Sequence, residues 1–211
     1  MKTKAVSTQT LRRLPLYLSY LKTLPVSGNI SATGIADALK LNPVQVRKDL
    51  ASISDGGRPK VGYITKLLIG DIERFLRYTD TDNAVIIGVG NLGHALLSFK
   101  GFVEYGLNIV AGFDARQTLC GDTVNGKPIL AVSELESYCA ENHVQIGIIT
   151  VPADQAQEVC DVLIRCGIQA IWNFAPVHLN VPDGVLVQNE NMAASLAILS
   201  QHLAEKMHET K

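Results

Sequence analysis

The stretch Ala84 to Leu97, AVIIGVGNLGHALL, constrains this chain more than any other, because an apolar run meets Gly88, Gly90 and Gly93 directly and helix formers follow. That order predicts a buried strand, a tight glycine turn and a helix N-terminus. In such a unit the first glycine takes the turn, the second lets a pyrophosphate approach the backbone, and the third lets helix and strand pack closely. The unpaired N–H groups of the first helical turn then face the anion. Gly88, Val89, Gly90, Asn91, Leu92 and Gly93 are therefore candidate dinucleotide contacts. A glycine pattern alone is weak evidence, but a second apolar strand, Asn108 to Phe113, ends in Asp114, 21 residues past Gly93. That is near the spacing at which a carboxylate meets ribose hydroxyls. The plain alternative for Asp114 is a strand-end carboxylate in a turn. Read with the glycines, it favours NAD(H) over NADP(H), although Arg116 lies close enough to blur that preference.

Downstream, strands and helices alternate. Pro128 to Leu130 is a short strand, and Ser133 with Glu136 has the form of a capping box opening a helix to about Asn142. Val144 to Val151 is an apolar run bounded by Pro152, hence a central parallel strand. A helix from Ala153 reaches Cys166 and stops at Gly167, and Ala170 to Phe174 and Val185 to Gln188 make two further strands. The pattern predicts an α/β chain with a Rossmann-type doubly wound parallel sheet, whose ligand lies beyond the carboxyl ends of the strands. The loops Thr150, Val151, Pro152 and Asn173, Phe174, Ala175, Pro176 lie at those ends, beside the expected nicotinamide. The last element, from Met192 to about Met207, repeats apolar residues at Met192, Leu196, Leu199 and Leu203. It either covers its own sheet or buries that face in another subunit.

Composition sharpens the division of the chain. Residues 1–78 hold 13 Lys and Arg against 5 Asp and Glu, a charge of +8, whereas residues 79–211 carry −9. A basic segment of that size points to a polyanionic partner, which the acidic remainder would repel. With 47% hydrophobic and 18% charged residues the chain is globular rather than disordered. No segment has the length of a membrane span, and Lys2 and Lys4 have no apolar run behind them, so a cytoplasmic protein is expected. The four cysteines, Cys120, Cys139, Cys160 and Cys166, form no CxxC pair and no cluster of metal spacing. They read as reduced packing residues, and no metal site is expected.

Within the basic segment, Leu11, Leu14, Leu18 and Leu21 form one stripe of a helix between Thr10 and Thr23, interrupted or started near Pro15. Ser31 caps a second helix with Ile35, Ala38 and Leu39 buried. Asn42-Pro43 starts a third, so the pair resembles a helix-turn-helix. Val46, Leu50 and Ile53 point that third helix into the core. Val44, Lys48, Ala51 and Ser52 point away, flanked by Gln45 and Arg47. Small residues with long donors near the N-terminal end suit entry into a major groove. Asp55 to Tyr63 then suits a hairpin wing with Arg58 and Lys60 at its tip, and the polar Thr79 to Asn83 stretch marks a boundary.

These residues resemble the Rex family of redox-sensing transcriptional repressors over nearly the whole chain. The resemblance is carried by Arg13-Leu-Pro-Leu-Tyr17, Gln45-Val-Arg-Lys-Asp-Leu50, Gly62-Tyr63, Gly88-Val-Gly-Asn-Leu-Gly93 and Asn173-Phe-Ala-Pro176. It implies a homodimer that is not an enzyme, with an N-terminal winged-helix domain (residues 1–78) on palindromic double-stranded operator DNA. A Rossmann domain (79–190) would hold NADH or NAD+, and a C-terminal helix (191–211) would be exchanged between subunits. Repression would be relieved when NADH rises. The family's tyrosine after the glycine loop is Phe99 here. Its aspartate at the start of the exchanged helix is Asn191, and the aromatic that approaches the nicotinamide is Met192. The tyrosine and aspartate are similar to a switch pair that closes on NADH, and the aspartate also meets an arginine that aligns with Arg13. The Phe-Gly expected before the wing is replaced around Ser54 to Gly57. Two rival readings are a small NAD-dependent oxidoreductase, for which the histidines offer no acid–base constellation, and a DNA-binding protein whose Rossmann domain is only a scaffold.

Overall fold

Ser7 starts the first helix, α1 (Thr8–Leu21), by accepting the Thr10 N–H at 3.1 Å. Pro15 lies within α1, which continues past it despite the missing N–H donor. The buried positions are Thr10, Leu14, Tyr17, Leu18 and Leu21, whereas Leu11 is exposed. At 100° per residue Leu14 and Leu21 occupy the centre of that face, Thr10 and Tyr17 lie on one side of it, and Leu11 falls just beyond Leu18 on the other. The computed structural model from which these contacts come describes residues 6–209. The chain divides into two compact units, Met1–Asp80 and Thr81–Lys211.

In the first unit α2 (Ala32–Leu39) is capped by the Ser31 hydroxyl, which accepts the Gly34 N–H at 2.9 Å. Its buried residues are Ala32, Ile35 and Ala36. Ala38, expected inside, is exposed because the buried face turns towards Ala32 and Ala36, and Leu39, at the end of the helix, is half-buried. Asn42 caps α3 (Pro43–Ile53), accepting from the N–H groups of Val44 and Gln45. Then α4 (Thr65–Phe75) buries Leu68 and Ile72 against the same core. Two short strands, β1 (Asn29–Ile30) and β2 (Tyr63–Ile64), pair antiparallel. Ahead of β2, Arg58 and Gly62 exchange two backbone hydrogen bonds at 2.9 Å, closing a hairpin with Pro59, Lys60 and Val61 at its tip. Gly62 has φ +82°, and a Cβ there would collide with the Ile30 carbonyl, so only glycine permits this approach.

The second unit is a seven-stranded sheet. Its strands are β3 (Asp82–Ile87), β4 (Leu107–Asp114), β5 (Thr123–Val124), β6 (Lys127–Ala131), β7 (Ile146–Ile149), β8 (Ala170–Asn173) and β9 (Leu186–Asn189). They lie in the order β5-β6-β4-β3-β7-β8-β9, all parallel except β5, which runs antiparallel to β6. Because β4 and β7 flank β3 on opposite sides, the chain changes direction of winding there, and the loops after β3 and β7 open a crevice. Alternating residues feed two cores. Val85, Ile87, Phe113 and Ile149 face one side, and Ala84, Ile86, Ile109 and Ile148 the other. The sheet is flanked by α5 (Asn91–Ser98), α6 (Leu135–Asn142) and α7 (Ala153–Arg165). As expected, α7 ends before Gly167, at φ +81°. The anticipated capping box at Ser133 and Glu136 is absent. A 3-10 turn, Val132–Glu134, precedes α6, and Glu134 instead accepts the Ala131 N–H at 3.0 Å.

Cys139 and Cys160 are buried in the core of this unit, and burial pushes the Cys139 thiol up to about 12. The last helix, α8 (Met192–Glu209), starts at Asn191, whose side-chain oxygen accepts the Ala194 N–H at 2.9 Å. Its apolar residues Met192, Leu196, Ile198, Leu199, Leu203 and Met207 are each about 60% exposed, so α8 does not cover its own sheet. Among the described residues no helix is long and apolar enough to cross a membrane, and no cluster of three or more ligating side chains could hold a metal ion.

Candidate functional site

The three glycines divide the labour in the way their spacing requires. Gly88 turns the chain at φ +96°. A Cβ on Gly90 would meet nothing within 4 Å, which leaves its face open to a ligand. A Cβ on Gly93 would strike the Gly88 carbonyl, so glycine is what lets α5 sit against the turn. The Thr150 hydroxyl, at the end of β7, donates to the carbonyls of Ile87 and Gly88 at 3.1 and 2.7 Å and ties the turn to the next strand.

Beside this turn lies a cavity of about 670 Å³. It is lined by Gly88, Gly90, Leu92, Asp114, Thr150, Val151, Pro152, Phe174 and Ala175 from the expected set. Pro176 of the same loop and Arg116 also line it, as do Ala115, Val132, Gln155 and Val159, which were not anticipated as contacts. Volume, open glycine face and unpaired first-turn N–H groups of α5 suit an adenine dinucleotide. The remaining expected residues lie elsewhere. Val89 is buried in the sheet core, Gly93 is in the helix contact, and Asn91 is exposed at the start of α5. Asn173 is fully buried, donating to the carbonyls of Ala175 and Val177 and to Asn189 Oδ1 while accepting the Ala175 N–H. It shapes the loop that carries Phe174 and does not itself face the cavity. Met192 is exposed on α8 and is not among the lining residues.

Asp114, buried at the end of β4, accepts hydrogen bonds from the Val89 N–H and from Arg116. The Arg116 guanidinium, followed by the two backbone N–H groups, holds its carboxyl below the usual carboxylate range despite burial. Phe174 continues an aromatic series through Trp172 and Phe102 to Phe99. Phe99 closes α5 at its C-terminal end and is half exposed.

In the first unit, α3 presents Val44, Arg47, Lys48 and Ala51 to solvent. Ser52 is half-buried and its hydroxyl donates to the Asp49 carbonyl, and the exposed Gln45 spends its amide N–H on Asp49 Oδ1 at 2.9 Å. A second cavity, about 430 Å³, is lined by Ser31, Thr33, Arg47, Arg58, Lys60 and Tyr63 among others. Three cations and no carboxylate line it, so the outward end of α3 and the hairpin share an anion-attracting surface.

Asp49 is the residue that the sequence reading passed over. It is 2% exposed and accepts from Thr10, Tyr17, Gln45 and two nitrogens of Arg13. Burial alone would raise this carboxyl, but the four partners together hold it below its ordinary value. Burial and then the hydrogen bond to Asp49 push Tyr17 up to about 12. The signal was present in the period, since residues 46, 49, 50 and 53 share one face of a helix, and an acid on a buried face demands donors.

The geometry defines a two-unit class in which a helix-turn-helix with a basic hairpin is joined to a doubly wound sheet with an open glycine turn. Two family models cover the same units, the putative DNA-binding protein N-terminus over residues 5–51 and the CoA binding domain over residues 79–177. The Treponema denticola redox-sensing transcriptional repressor Rex is 42% identical over 200 residues, covering 94% of this chain and 95% of the relative. The Rex of Desulforamulus reducens is 38% identical over 208 residues, 98% of this chain and 99% of its own. Among solved structures, RSP in complex with β-NAD+ and operator DNA superposes with a TM-score of 0.90 at 34% identity, covering 98% of this chain and 96% of that one. RSP in complex with β-NADH gives 0.88 at 33%, covering 98% of each chain. This chain belongs to the Rex family of redox-sensing transcriptional repressors.

Proposed function

We propose that this chain is a transcriptional repressor that grips operator DNA through its Met1–Asp80 unit and lets go when NADH occupies the glycine-turn cavity of its second unit. The observation that carries the reading is the pairing, in one Rex-family chain, of a carboxylate-free basic surface with an open Gly90 face. Arg47, Lys48, Arg58 and Lys60 supply the phosphate and base donors, and Val44 leaves α3 free to approach a groove. Gly88, Gly90 and the first-turn N–H groups of Asn91 and Leu92 receive the pyrophosphate. Thr150 to Pro152 and Phe174 to Ala175 border the nicotinamide end. NADH supplies only binding energy here. The ionisable groups lining the cavity are Asp114 and Arg116, paired with each other, and neither has a proton to exchange near neutral pH.

The exposed apolar face of α8 is proposed to seat against a second copy, since soluble monomers rarely expose so large a patch. A two-fold dimer of this kind matches a palindromic operator, and operator binding supports a cytoplasmic location. The test measures anisotropy of a labelled palindromic duplex without ligand, with NAD+ and with NADH. Binding that NADH abolishes and NAD+ leaves largely intact is expected. Hydride transfer in a substrate screen, with no DNA binding, would favour the oxidoreductase instead.

A further inference from the structure

Of the four rings in the aromatic series, only Phe174 lines the dinucleotide cavity. Its ring packs on the Trp172 indole at 4.9 Å, and Phe102 packs edge-on against the same indole at 5.8 Å. Phe102 lies in the 3-10 turn Lys100–Tyr105 that follows α5. Trp172 therefore touches both the loop at the nicotinamide end and the segment after the glycine-turn helix. It is half-buried, and it gives its single side-chain donor, the indole N–H, to Glu190 Oε1 at 2.9 Å. Glu190 is held a second time, its backbone N–H donating to the Asn173 carbonyl at 2.8 Å, and the neighbouring Asn189 Oδ1 accepts from Asn173 at 2.9 Å. Asn191 follows directly, and α8 starts at the next residue.

We propose that Trp172 and Glu190 are positioning residues that pass occupancy of the nicotinamide end on to α8, and so set how far NADH lowers the affinity for operator DNA. The inference rests on the reading that NADH fills this cavity and that α8 joins two copies. A ligand shifts a conformational equilibrium only through contacts that differ between the two states, and Phe174 is the contact that a nicotinamide ring changes. Close packing leaves the Phe174 ring little room to yield alone, so its displacement tilts the indole. The bond from the indole N–H to the carboxylate is directional and charge-assisted, so Glu190 follows the indole. No free residue separates Glu190 from the cap at Asn191, and the start of α8 is redirected with it. A bond that only stapled the edge strand β9 would, when lost, lower stability and leave the response to NADH unchanged.

The quantity that tests this is the coupling factor, the operator dissociation constant with saturating NADH divided by that without it, measured on the full chain by duplex anisotropy. Glu190→Ala removes the acceptor and Trp172→Phe the donor. Each should lower the factor about tenfold, while NADH affinity by calorimetry and operator affinity without ligand stay within about twofold. Glu190→Gln keeps an acceptor oxygen and should restore most of the factor. The double variant should lose no more than either single one, as two ends of one bond require. A coupling factor unchanged in both single variants would overturn the proposal. So would loss of fold or of dimer mass in Glu190→Ala, which would assign the residue to assembly instead. If Trp172→Phe does not fold, the two Glu190 variants decide. An operator affinity that NADH leaves unchanged in the unaltered chain would overturn the NADH-released repressor, and this coupling with it.

Discussion

Replacing Asp49 by Asn tests what holds α3 in place. The carboxylate joins two segments far apart in sequence. Oδ2 accepts from Arg13 Nε at 2.7 Å and the Tyr17 hydroxyl at 2.8 Å, and Oδ1 accepts from Thr10, Arg13 Nη2 and Gln45. Asparagine keeps the shape but turns one acceptor into a donor, so whichever way the amide faces it opposes at least two donors. Thr10 and Tyr17 are buried and have no water to fall back on. Removing one partner of a buried ion pair costs about 3–5 kcal/mol. For a unit of this size each kcal/mol shifts the midpoint by about 4–8 °C, so a fall of roughly 12 °C or more is expected. The chain's single tryptophan, Trp172, lies in the other unit. Far-ultraviolet circular dichroism should therefore show an early helical transition while the Trp172 fluorescence transition stays put, and DNA affinity should drop with the first. The same carboxylate sets an acid limit. Its folded pKa is depressed, so its contribution is present above the unfolded value near 4 and is lost as pH falls through the folded one, a dependence that Asp49→Asn should remove. A midpoint within about 2 °C of the unaltered chain would refute the reasoning.

Arg47→Ala and Lys48→Ala should each weaken operator binding with no loss of folding, since both side chains are exposed on α3. A residue that touches only phosphate should lower the salt slope by about one unit, and unchanged affinity in both variants would reject α3 as the reading helix. Gly93→Ala should abolish dinucleotide binding in calorimetry, because the added methyl strikes the Gly88 carbonyl and pushes α5 off the turn. A chain ending at Gln188 should lose the dimer mass in sedimentation, and a dimer that survives without α8 would place the interface elsewhere.

What the sequence made legible is what local chemistry decides. Gly88, Gly90 and Gly93 have their conformations and contacts forced by the absence of a Cβ, and Asn42-Pro43 starts a helix whatever surrounds it. Side-chain pairings across long separations were not legible. Nothing near residue 49 reveals that Thr10 and Arg13 will meet it, and Leu11 was misplaced because those polar contacts turn the buried face of α1 away from it. The edge strand β5 is two residues long and too short to show a period. Asn173 lies at a strand end where a ligand contact was expected, yet its amide is consumed by its own loop. The competing placements of α8 could be separated only by exposure, which periodicity does not report.

The switch is where this chain departs furthest from what its family resemblance implies. Phe99 has no hydroxyl, and its ring packs edge-on against Phe102 at 4.9 Å. Asn191 carries no charge, and its side-chain oxygen caps α8. Arg13, the expected partner of an acid at position 191, forms its hydrogen bonds with Asp49. All three positions therefore have work within this one chain. A charge-assisted hydroxyl–carboxylate bond is stronger than a neutral one, and a ligand shifts a two-state equilibrium only by its differential affinity for the two states. If the NADH-bound state lacks that bond, NADH should release operator DNA less completely here than after Phe99→Tyr with Asn191→Asp. Since Asp retains a capping oxygen, the double variant keeps the start of α8. The two proteins are compared by titrating NADH against the operator complex at fixed salt. A gain of about 1.4 kcal/mol would appear as a tenfold lower NADH requirement for half-release. Complete release by the unaltered chain, with no gain in the double variant, would move the switch to the loops after β3 and β7.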